Sequence, residues 1–181
     1  MAKRMSEFFR PSDEKRELCV GRTPKKLYKQ ERDWTCAIAC IRTMLSAFDE
    51  EKEEPWYVDT YQMVPGPHFS KDIKRLGILD NYDVIYGCDE ENKNLNTVLE
   101  YAGAGYYLML ESMYNFSHWM VFMGYFPVRG VSNIEEHRML FYDPYLDSMR
   151  LIGAEEFEGM WLDGNHKDNG VYRDFIAVKM K

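Results

Sequence analysis

No apolar stretch of this chain approaches the ~18 residues of a membrane-spanning helix, so no membrane partner is expected. The N-terminus, MAKRMSEFFRPSDEKRELC, lacks the apolar core of an export signal. Cysteine is scarce. Four in 181 residues do not make a disulfide scaffold, and a reducing, cytoplasmic setting is the expectation. Cys36 and Cys40 stand one helical turn apart on one strip, a spacing that does not favour a bridge between them. Basic residues are outnumbered, 23 Lys and Arg against 30 Asp and Glu, for a net charge of −7. A nucleic-acid binder carries a basic patch, so nucleic acid is not expected as a partner either. Repeats, low-complexity linkers and a glycine-rich phosphate loop are all missing.

What is present is a core. Hydrophobic residues make up 45% of the chain and aromatics 15%, enough at this length for one globular domain. The pattern puts that domain at 24–181, behind a charged arm at 1–23. From Cys36 to Phe48 the apolar positions have helical spacing with nearly every side buried. The acidic run DEEKEE ends that helix and reads as solvated surface, and Pro55 closes the region. KDIKRLGILD predicts a second helix stopped near Gly77, and NLNTVLEYAGAG a third. YDVIYG and YYLMLES read as strands. Three more strands follow, HWMVFMGYF, RMLFYDP and YRDFIAVKM, with a short helix at GAEEFEGMW before the last. The fold class is α+β, a helical N-terminal half packed on a mostly antiparallel sheet.

One stretch carries chemistry: QERDWTCAIACIRTML, residues 30–45. Cys36 heads a helix, where unsatisfied N–H groups and the helix dipole favour thiolate over thiol. A nucleophilic thiol also needs a base, a group to orient it and an oxyanion donor. Of the four histidines, His68 lies in a turn, and His137 and His166 lie in polar loops. His118 alone opens an apolar strand. Asp143 ends the next strand, so a hairpin looped through PVRGVSNIEEH makes the two neighbours, and a carboxylate there fixes the imidazole tautomer. Gln30 offers a side-chain N–H to an oxyanion, with the Cys36 N–H as the second donor. Each residue has an ordinary reading beside this one. A cysteine at a helix start packs in a core, and an Asp-Pro pair after a strand makes a turn. Trp34 and Trp119 are candidates for substrate contact, with packing as the competing role.

Taken in order, these segments resemble the bacteriocin-processing (double-glycine leader) cysteine peptidases. Gln30, Cys36, Cys40 and Met44 resemble their nucleophile segment. His118 with WMVFMGY resembles their histidine segment, FYDP their Asp-Pro segment, and GAEEFEGMW the helix after it. QERDWTCAIAC also resembles the eukaryotic branch named guanylyl cyclase domain-containing protein. The resemblance spans about residues 28–178. It implies a papain-like fold, Cys36 as nucleophile, His118 as base and acid, Asp143 as orienter and Gln30 as oxyanion donor. The implied substrate is a peptide or protein, cleaved through an acyl-enzyme with no cofactor or metal. Two positions depart from the pattern. Thr35 replaces an acidic residue, with a helix-capping role open to it. Ala37 replaces glycine, which would crowd a substrate approaching the backbone. Two competing functions remain: a non-catalytic peptide-binding module, and guanylyl cyclase-type nucleotide chemistry, which calls for metal-holding carboxylates and a phosphate cradle.

Overall fold

The computed structural model describes residues 21–62, 69–113, 117–126, 137–161 and 173–181. The arm up to residue 20, His68 and His166 lie outside them. The elements run α1 (Cys36–Leu45), α2 (Glu54–Tyr61), α3 (Phe69–Leu76), β1 (Tyr82–Tyr86), α4 (Leu95–Gly103), β2 (Tyr107–Ser112), β3 (His118–Phe126), β4 (Arg138–Asp143), β5 (Ser148–Gly153), α5 (Ala154–Trp161) and β6 (Phe175–Met180). The six strands form one sheet, ordered β1-β6-β2-β3-β4-β5, with every neighbouring pair antiparallel. The architecture is α+β, as the pattern of elements implied.

Strand periodicity explains why both faces are covered. On β3, Trp119, Val121 and Met123 join a core with Ile38 and Ile41 of α1, Tyr57 of α2 and Phe69 and Ile73 of α3. Met120 and Phe122 point the other way, into a core with Val98 of α4 and Phe157 and Trp161 of α5. The register shifts between Phe122 and Gly124. Beyond that bulge the alternation moves by one, so Tyr125 joins the second core and Phe126 the first. Gly21 packs on the bulge. Its φ is +146°, and a Cβ there would meet the Met123 carbonyl oxygen at 2.4 Å.

Helix α1 lies across β2 and β3, and all ten of its residues are buried. An apolar surface on every side suits only such a central position.

One expectation is corrected, and two features go beyond what the pattern implied. Pro55 opens α2 instead of closing a loop, because proline suits the first turn, where its missing N–H costs nothing. The acidic run is exposed at Asp49, Glu50 and Glu53, as expected, and is also tied down by its partners. Asp49 pairs with Lys25, Glu50 accepts from the Tyr82 hydroxyl, and Glu51 accepts from Lys26 at 2.6 Å and from the Tyr28 hydroxyl at 2.9 Å. Glu54 is buried and accepts the Glu31 N–H at 3.0 Å. The segment SMRLIG, to which the sequence pattern assigns no element, forms β5. It is an edge strand, half-exposed, so its composition carries little strand pattern.

Candidate functional site

The site gathers the N-terminus of α1, the start of β3, the end of β4 and the loop before α1. Cys36 is the first residue of α1 and 7% exposed. Antiparallel pairing sets Val121 opposite Tyr142, which brings the start of β3 beside the end of β4. There His118 Nε2 lies 2.9 Å from Asp143 Oδ1. Cys36 interacts with the same imidazole and helps to hold its proton. With Nε2 turned to the carboxylate, Nδ1 is the ring nitrogen left for the sulfur.

Electrostatics follow from this chain of contacts. Burial alone would lower the His118 pKa. Hydrogen bonds to Asp143 and Cys36, with their charges, outweigh it and lift the imidazole to about 9. Burial likewise works against the Asp143 carboxylate, yet His118, the Leu146 N–H and Arg150 hold its pKa below the ordinary value. Asp143 is well supplied with donors. Its Oδ1 also accepts the N–H of Tyr145 at 3.0 Å and of Leu146 at 3.3 Å, and its Oδ2 accepts Arg150 Nη1 at 3.2 Å. One turn further along α1, Cys40 is fully buried, and burial pushes its thiol well up. Cys36 and Cys40 are both free thiols.

Gln30 is held beside this group. Its N–H donates to the carbonyl of Pro144, the residue after Asp143, at 3.1 Å. Its Nε2 donates one hydrogen to the Arg32 carbonyl at 2.8 Å, leaving a second. The loop is clamped from below by Arg42 of α1, itself 3% exposed. Arg42 donates to Glu31 and Glu53 at 2.8 Å each and stacks 4.3 Å from the centre of the Tyr28 ring. Arg42 and Arg150 were not singled out from the sequence.

The remaining candidates fall apart from one another. Trp119 is fully buried and tilted against Phe69, a packing role that keeps it from any substrate. Trp34 is 39% exposed, beside the Arg32 guanidinium, and stays available at the surface. Thr35 does not cap α1 with its side chain. Its hydroxyl instead closes a turn, donating to the Arg32 carbonyl and accepting the Arg32 N–H. Ala37 is fully buried, so its methyl group stands in the core and not in a substrate's path. Among the described residues no three His, Cys, Asp or Glu side chains converge as a metal site.

The structure superimposes on the peptidase domain of Streptococcus ComA, described as a bi-functional ABC transporter involved in a quorum sensing pathway. The TM-score is 0.58 at 12% identity, over 86% of this chain and 98% of that domain. The chain has a papain-like fold. No family model and no curated protein sequence matches it. The papain-like likeness speaks to the arrangement of helices and sheet. It lends nothing to the nucleotide-chemistry reading.

Proposed function

We propose that the protein is a cysteine peptidase-like thiol hydrolase acting on a peptide, isopeptide or related amide bond in a peptide or protein substrate. Cys36 is the nucleophile. As its sulfur bonds to the carbonyl carbon, the thiol proton resides on His118. The oxyanion takes hydrogen bonds from the Cys36 N–H, which has no partner within the helix, and from the second Gln30 amide hydrogen. Collapse breaks the C–N bond, and the amine leaves with the proton from His118. Water then attacks the thioester, giving a proton to His118, and the acid departs as the sulfur is released. Asp143 orients the ring throughout. The observation that carries this reading is the His118–Asp143 pair, 2.9 Å apart, with Cys36 at the head of a buried helix interacting with the same imidazole. A reducing, cytoplasmic compartment suits it, because the chemistry needs a free thiol.

The test is alkylation by iodoacetamide across pH, mapped by peptide mass in wild type and His118→Ala. Cys36 should react fastest, with a His118-dependent limb. Cys88, exposed, reports an ordinary thiol, and Cys40, buried, should stay protected. Equal rates at Cys36 and Cys88 in the wild type would refute the catalytic reading and favour a binding module.

A further inference from the structure

Arg150 lies on β5, opposite Phe141 of β4, in the same strand pairing that sets Asp143 opposite Ser148. Its Nη1 donates to Asp143 Oδ2 and lies 3.8 Å from Met120 Sδ. The two oxygens of Asp143 are thus divided. Oδ1 faces the imidazole and two backbone N–H groups, and Oδ2 faces a permanent cation. The backbone groups already fix the carboxylate's place. A guanidinium on the other oxygen adds charge more than position, because it stays ionised at every accessible pH.

We propose that Arg150 is a positioning residue that shares the negative charge of Asp143, so that the carboxylate orients His118 without immobilising its proton. This role presupposes the Cys36–His118–Asp143 chemistry proposed above. Its logic comes from the two half-reactions. Acylation needs an imidazolium to protonate the departing amine. Deacylation needs a neutral imidazole to accept a proton from water. An undivided carboxylate beside a buried imidazole favours the first and slows the second. The other groups facing this cluster are Cys36 and Cys40 of α1, Tyr142 of β4, the Tyr145 ring edge 6.4 Å from the His118 ring, and Asp147, which accepts from the Tyr142 hydroxyl. None of these carries a positive charge, so Arg150 is the permanent cation paired with Asp143.

The experiment follows the His118 imidazole by NMR titration in wild type, Arg150→Met, Arg150→Gln, Arg150→Lys and Asp143→Asn. Asp143→Asn removes the charge that holds the imidazolium and should lower the midpoint by more than about one pH unit. Arg150→Met should move it the opposite way, up by about half to one unit, the size expected of a partly solvated neighbouring charge. Arg150→Gln keeps a hydrogen-bond donor without the charge and should move it up as well. Arg150→Lys returns the charge and should restore most of the shift. An unchanged or lowered midpoint in both neutral variants overturns the proposal, since a merely structural side chain would produce one or the other. If Asp143→Asn itself leaves the midpoint in place, the His118–Asp143 pairing fails, and the functional reading fails with it. The Arg150 side chain is 37% exposed on an edge strand, so these variants should fold.

Discussion

The protonation of His118 should be visible in the stability of the whole domain. Its pKa rises from 6.5 to about 9 on folding. The folded state therefore holds a proton that the unfolded state releases. The stabilisation is complete below pH ~6.5 and disappears as pH rises through about 9. Each unit is worth ~1.4 kcal/mol, so the effect is on the order of 3 kcal/mol. Screening removes little of it, because the side chain is only 11% exposed. The assay is urea denaturation of wild type and His118→Gln from about pH 6 to about pH 10. Titrating groups not coupled to His118 cancel in the difference between the two. That difference should shrink by about 3 kcal/mol across the range. In a Cys36→Ser background it should shrink less, because the share of the shift due to the thiol is gone and that of Asp143 remains. A difference constant with pH would mean that His118 takes no proton on folding. The pairing of His118 with Asp143, and its interaction with Cys36, would then be wrong.

Two further outcomes test the scaffold around the site. Replacing Arg42 with Met keeps most of its volume and removes both ion pairs and the stack on Tyr28. Glu31 and Glu53 are 48% and 83% exposed and return to water easily, so the expected loss is about 1–2 kcal/mol in urea denaturation. Hydrogen exchange at the Gln30 and Glu31 amides should speed up, and unchanged protection there would show that Arg42 does not hold the loop. Gly21→Ala places a methyl group into the β3 backbone from a left-handed φ. The leading segment should detach while the sheet stays intact, raising trypsin cleavage after Arg22 about tenfold with little change in global stability. Equal cleavage rates would refute the packing of Gly21 on the bulge.

What the sequence disclosed and what it hid have different physical origins. The nucleophile segment is local. A cysteine ahead of an all-round apolar run announces both a helix start and a central helix, and α1 is both. The pairing of His118 with Asp143 was legible for a related reason. One opens a strand and the other ends the next, and a hairpin admits little freedom in register. The fold class followed from the same periodicities. Element edges were harder. Pro55 was read as a stop because proline at a first turn and proline after a last turn look alike without the packing of α2. The partners of the acidic run were not legible, because charge in a sequence does not show what it pairs with. Each of those partners is more than 20 residues away, apart from Arg42 of α1, which lies 11 residues from Glu53.

Arg150 marks where this legibility ends. It sits in SMRLIG, where one edge is solvated and the alternation is weak. A signal for that strand was nonetheless present. The segment from Pro144 to Asp147 is a turn, and Asp147 takes a left-handed φ of 51°, a conformation that aspartate tolerates well. A turn directly after a buried strand predicts a returning strand, and the returning strand places its third residue near the strand's last. On that reading a cation three residues past Asp147 falls beside Asp143. The residues proposed to touch the reacting atoms stand at the ends of strongly patterned elements, where the chain must be held rigidly. The residue proposed to adjust their charge stands on the sheet edge, where pattern fades and substitution disturbs the core least. Such a division lets the basicity of His118 be altered without disturbing the helix that carries Cys36.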